Sequence, residues 1–291
     1  MYRLWSFTKR NLGLFFSNKA SVFFSLMGAF VALFIVIVLL RSSVVDGIMA
    51  STGTASGLSD ATIGSILDTW LICSSAAIAS FTTGFAAYEV FVADRQSERW
   101  RDFLVTPMPR TTLTGGYLLA AIIVSLVETS AVYGLGTIYC LANGATLTWA
   151  AFAKAYGLLV LCCLSFTALT GFIISFVSTQ AAFTGLSVVF GTTTGFLNGT
   201  YVQPSLLSDG VNSVFNSLPF AQAAAVVRDA YVAPMLTDLP AEAVAGFRSS
   251  MGIDLFVGDK QLPQPLIFAV LIGLAVVCSL CSWMRINRKV G

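Results

Sequence analysis

Glu128 is the one ionisable residue that falls deep inside an apolar run of this sequence. A carboxylate at that depth is costly in lipid and is often functional. It can line a translocation path, bind a cationic substrate, or stay protonated and hydrogen-bonded to Ser125, Thr129 or a group on another helix. Gly191, Gly195 and Gly199 recur every four residues in a later apolar run. Small residues at that spacing let two helix backbones approach closely, across a dimer, at a gate, or within one chain. Cys278 and Cys281 form a C-x-x-C spacing, but they sit in an apolar run of a chain with no histidine. There they read as small apolar packing residues.

The segment 93–112, ADRQSERWRDFLVTPMPRTT, carries a different kind of pattern. Trp100, Phe103 and Leu104 fall at i, i+3 and i+4 of a short helix, with Glu98, Arg99, Arg101 and Asp102 around them. Pro107 and Pro109 stop that helix before the next apolar run. An aromatic knob ringed by charge suits docking into a groove of another protein. The same pattern also suits a helix resting on the membrane surface.

These residues must be held by elements built for lipid. Of the 291 residues, 56% are hydrophobic and 10% charged, and the mean hydropathy is +0.83. Soluble domains carry roughly 25% charged residues, so the bilayer is the expected solvent. Six runs have the length of a spanning helix: 21–40, 69–90, 113–140, 150–177, 180–198 and 264–284. The fifth is the weakest, being rich in Gly and Thr. The fold class expected is an all-α integral membrane protein of six transmembrane helices and one domain over 1–291.

Residues 1–20 read as an interfacial amphipathic helix, with Leu4, Trp5, Leu12, Phe15 and Phe16 on one side and Arg3, Ser6, Arg10 and Ser17 on the other. Phe7 and Leu14 break that pattern, and Lys19 falls on the apolar side. It is either a membrane anchor or an elbow that transmits force from a cytoplasmic partner. The first apolar run lacks a small-residue cleavage site and is expected to be retained. Positive charge gathers before the first run, in the 93–112 connection and after the last run, which puts these on the cytoplasmic side for an even number of spans. Residues 41–68 and 199–263 then lie outside. Asp68 and Glu89, at span ends, are expected in water. Within 199–263, helices are expected over 219–231 and 240–251, dipping into or lying on the membrane.

Several chemistries lack their residues. There is no broad Lys/Arg patch for nucleic acid, no G-x-x-x-x-G-K-[ST] phosphate loop, and no metal cluster or paired carboxylate at membrane depth. The six cysteines lie in or beside apolar runs, which argues against a disulfide framework.

Glu98, then a short helix, then Thr106, Pro107 and Arg110, with Gly115 and Gly116 opening the next run, resembles the permease subunits of type-2 ATP-binding-cassette exporters. Leu218-Pro219 followed by Ala225 and Arg228 is similar to that family's external segment. The likeness covers nearly the whole chain as architecture and about 40 residues as motifs; Met108 and the extra Trp and Arg residues depart from it.

The resemblance implies a non-enzymatic permease, with ATP and Mg held by a separate ATPase subunit and no cofactor on this chain. A second permease chain, identical or different, would pair with it in the cell membrane, both termini being cytoplasmic. Glu98, Arg99, Trp100, Phe103, Leu104, Pro107 and Arg110 would contact the ATPase. The cargo would be lipophilic or amphipathic: a drug, lipid or peptide. An ion-coupled secondary transporter and a non-transporting immunity protein are the alternatives.

Overall fold

A computed structural model describes residues 2–34, 60–104, 108–237 and 241–289. The chain is almost entirely helical. An amphipathic helix α1 (Tyr2–Ser17) is followed, past Asn18, by α2 (Lys19–Phe34). Next come α3 (Asp60–Ala86), α4 (Glu89–Gln96) and the short α5 (Arg99–Leu104). The long helices α6 (Arg110–Ala142) and α7 (Trp149–Ile174) lead to α8 (Gln180–Leu197). Two short helices follow, α9 (Asp209–Ser217) and α10 (Pro219–Val232), then α11 (Ala241–Ser250), a two-residue hairpin pairing Phe256–Val257 with Lys260–Gln261, and α12 (Gln264–Lys289).

Helix starts follow the local chemistry. The Thr148 and Thr179 hydroxyls accept from the backbone N–H groups of Ala151 and Ala182, capping α7 and α8. Pro219 opens α10, where its missing N–H costs nothing.

Among the described residues, four helical stretches are long and apolar enough to cross a membrane: Thr62–Gln96, Arg110–Ala142, Trp149–Ile174 and Gln264–Arg285. These are compatible with a membrane location. Of the other two expected spans, α2 is described to Phe34, and 35–40 lie outside the described residues. α8 is a full 18-residue helix, but its Thr and Gly content keeps it below the apolarity of the other four.

α3 is the hub. It packs against α2, α6, α7, α8 and α10, and Ser74, Ser75, Ala76, Ala77, Ala79 and Ser80 on it are fully enclosed. Small residues permit such close approach on all sides. α10 is Ala-rich and buried along both α3 and α7. At the periphery, α12 turns Ile272, Val276, Val277 and Leu280 outward, an apolar face suited to lipid.

The second helix begins earlier than expected. Residues 60–68 are its first turns, and Ile63, Ile66 and Leu67 are buried under Val232, Leu236, Met251 and Ile253. Asp68, expected in water, is 1% exposed, because it lies inside these buried turns and not at their end. Glu128 is therefore not the only enclosed carboxylate.

Candidate functional site

α1 is seated differently from its helical wheel. Its inward face is Phe7, Thr8, Asn11 and Phe15, while Trp5 and Phe16 point out. Phe7, which broke the expected pattern, is the anchor. Its ring meets Phe103 edge-on at 5.2 Å and Tyr117 at 5.0 Å. It lies on Gly116, where a Cβ would collide with the ring. Leu4 lies beside Gly115, so the glycine pair opening α6 is the seat of α1.

Arg10, expected on the polar side, is also turned inward. It donates to both carboxylate oxygens of Asp94, and the Tyr117 hydroxyl donates to the same group at 2.7 Å. The guanidinium also lies 5.0 Å over the Phe103 ring. Hydrogen bonding to Asp94 raises the Arg10 pKa, which favours the charged guanidinium. Asp94 is 2% exposed, so its charge is held by Arg10 and Tyr117 rather than by water.

The same end of the bundle collects two more segments. Arg95 donates to the backbone carbonyls of Val177 at 2.7 Å and Ser175 at 3.3 Å. Arg285, near the end of α12, stacks 3.6 Å over Phe176. α1, the 93–112 connection, the 175–179 turn and the end of α12 thus meet on one side.

Of the residues expected to dock a partner, Glu98, Arg99 and Arg110 are exposed, whereas Phe103 is half-buried against Phe7. Trp100 and Leu104 belong to α5; Thr106 and Pro107 fall outside the described residues. Glu98 turns the chain from α4 into α5 with φ at 57°, a left-handed conformation that side chains rarely adopt.

A groove of about 880 Å³ runs between α2 and α8, floored by α3. Phe24, Phe81, Phe85, Phe183, Phe190 and Phe196 supply most of its wall, with Ser21, Ser25, Thr184 and Ser187 between them. Phe85 stacks on Phe183 at 5.2 Å and tilts against Phe190 at 5.6 Å. Glu89 lies at the end that also carries Asn18, Ser21 and Gln180. It is half-buried, not fully solvated as expected, and accepts a hydrogen bond from the Ser21 hydroxyl.

Glu128 is outside the lining of this groove. It is 3% exposed and accepts from Ser25 of α2 at 2.7 Å, rather than from Ser125 or Thr129 beside it. Its other oxygen has no hydrogen-bond partner. Ser25 faces both the groove and Glu128, and so joins them.

The three glycines separate into three settings. A side chain at Gly191 would meet open space on the groove wall. One at Gly195 would strike the Tyr201 ring. Gly199 ends α8 with φ at +70°, the left-handed position that glycine favours after a helix.

At the opposite end, Arg228 of α10 is 1% exposed and makes five hydrogen bonds to neutral groups. Its acceptors are Ser74 Oγ, the carbonyls of Met251, Gly252 and Asn198, and Thr200 Oγ1. The guanidinium stacks on Trp70 at 4.5 Å, and the Trp70 indole N–H donates to the Met251 carbonyl.

No protein-family model matches this sequence, and no curated protein is significantly similar to it.

Sequence reading passed over Phe7, Arg10, Asp94 and Tyr117 as a unit, and Glu89 as a groove residue. The available signal was Phe7 itself, an aromatic out of place on the wheel. The Gly115-Gly116 pair was a second, a seat with no side chain to fill it.

Proposed function

We propose that the chain is the membrane-spanning permease subunit of an ATP-driven exporter of the type-2 ATP-binding-cassette kind. The reading has α2 and α8 completing six spans with the four long apolar helices, both termini in the cytoplasm, and a second permease chain alongside. ATP and Mg belong to a separate ATPase subunit. The cargo is lipophilic or amphipathic, and the groove between α2 and α8 is where it meets this chain.

The observation that carries the reading is the attachment of α5. It is fixed through Phe103 to Phe7 of α1, while Asp94, just before it, is fixed to Arg10 of α1 and Tyr117 of α6. A push on α5 therefore moves an interfacial helix and a long apolar helix together. That is the linkage a permease needs when the engine is another polypeptide. Glu98, Arg99 and Arg110 are the exposed residues through which such an engine would hold this face.

The test is a mild-detergent pull-down of the tagged chain from its native host, with mass spectrometry and an ATPase assay. Recovery of a stoichiometric ATP-binding-cassette subunit with vanadate-sensitive hydrolysis is expected. Recovery of the chain alone, without hydrolysis, would sink the exporter reading. One observation favours a second reading, ion-coupled transport: Glu128 is a buried carboxyl joined through Ser25 to the groove. A proton gradient that drives uptake or efflux by the chain alone in vesicles would establish that reading instead.

A further inference from the structure

We infer that the α2–α8 groove binds a lipophilic monocation, with Glu89 as the counter-ion for its charged head. The inference rests on the exporter reading for the fate of the ligand, but not for its binding.

Charge on the wall is the first argument. Among the described residues that line the groove, Glu89 is the only one that carries a formal charge. Arg95, the nearest cation along the chain, and Arg10 on α1 are both engaged. Arg10 is held by Asp94 and Arg95 by the Val177 and Ser175 carbonyls. Lys19 is exposed and is not part of the lining. The N-terminus of α4 offsets part of the Glu89 charge through its aligned peptide dipoles, but supplies no fixed cation. A carboxylate facing an apolar space without a cation attracts one from outside, more strongly than it would in water.

The rest of the wall is the second argument. Six Phe rings and Tyr201 stand in it, and the faces of aromatic rings attract cations and repel anions. The Ser21 hydroxyl donates to Glu89 and fixes its carboxylate at the groove's end. From Gln180 to Phe196 the α8 wall runs about 24 Å at the usual helical rise. A single charged head at one end, with a long aromatic-lined body behind it, fits an amphiphile that carries one positive charge. A neutral acyl chain would leave the Glu89 carboxylate without a cation in the groove, and an anion would be repelled by both the carboxylate and the ring faces.

Two probes of the same shape and opposite charge give the test: tetraphenylphosphonium and tetraphenylborate. Binding of each to the purified full-length chain in nanodiscs would be measured at saturation. The cation should bind at least about tenfold tighter than the anion, and Glu89→Gln should reduce the cation's affinity about tenfold. A wild-type ratio near one would overturn the inference whether or not the variant folds. So would a folded Glu89→Gln chain that binds the cation as tightly as wild type. Because no ATPase is needed, the two readings fail separately. Recovery of an ATPase with no preference for the cation defeats this inference alone. A clear preference in a chain that recovers no ATPase defeats the exporter reading alone.

Discussion

Arg10 and Asp94, 84 residues apart in sequence, share two hydrogen bonds, Nη1–Oδ2 at 2.5 Å and Nη2–Oδ1 at 2.9 Å. The pair ties α1 to the segment that leads into α5, and Tyr117 extends the tie to α6. An ion pair with one partner buried and the other a third exposed is cooperative: losing one member strands the other.

Arg10→Ala should therefore lower stability by about 2–3 kcal/mol, because Asp94 stays buried with Tyr117 alone. Asp94→Asn should cost less, since the amide oxygen still accepts a hydrogen bond. Thermal melts in detergent of the two single variants and the double variant would check this. Additive losses would show that the pair is not coupled.

Arg228 should tolerate no common replacement. Arg228→Met leaves the Gly252 and Asn198 carbonyls without their donor in a dry site, with Met251 held by Trp70 alone, at a cost of roughly 3 kcal/mol or more. Arg228→Lys should fall nearly as far, since an ammonium cannot fork to acceptors on separate segments or stack on Trp70 as a planar guanidinium does. The readout is melting temperature, with protease sensitivity of residues 199–263 as a second measure. A variant with wild-type melting and wild-type resistance would refute the assignment.

Gly195→Ala and Gly191→Ala should part company. The first forces Tyr201 to move and should lower the melting temperature. The second places a methyl in the groove and should leave stability unchanged. If Gly191→Ala alters transport at unchanged stability, that glycine serves the groove or a facing chain. Equal melting losses at both positions would return the stripe to packing within the chain.

Ser25→Ala should cost about 1–2 kcal/mol in the wild-type chain, by removing a donor from the buried Glu128 carboxyl. In a Glu128→Leu background the same change should cost close to nothing. A double-mutant cycle on melting in detergent measures the difference, and equal costs in both backgrounds would mean that the two side chains do not interact.

Much of the layout was legible because lipid imposes simple rules. Apolar runs of spanning length gave helices at the expected places, and Pro219 announced α10. The helices 219–231 and 240–251 correspond to Pro219–Val232 and Ala241–Ser250. What escaped was tertiary. The wheel of α1 ranks its faces by hydropathy, yet the seat selects by shape: Phe7 fits over Gly116, and Trp5 has no such place. Asp68 read as solvated because it stands just before an apolar run, whereas α3 begins at Asp60 and so carries Asp68 inside a buried stretch. The nine-residue α9 helix and the hairpin at Phe256–Val257 were too short to announce themselves. Glu89 read as a span-end charge because only the meeting of α2 and α8, which no local pattern encodes, encloses it.

The Arg228 node also decides where this molecule can bend. One guanidinium holds the middle of α3, the end of α8, α10 and the turn after α11, through Ser74 Oγ and the carbonyls of Asn198, Met251 and Gly252. The Arg228 end of the bundle is thus clamped. Among its described residues α2 is tied by single hydrogen bonds, Ser25 to Glu128 and Ser21 to Glu89; it leans on α3 and meets α8 only lightly across the groove. A wider groove would require α2 to move away from α8, and the Ser21–Glu89 hydrogen bond is one tie that would have to open.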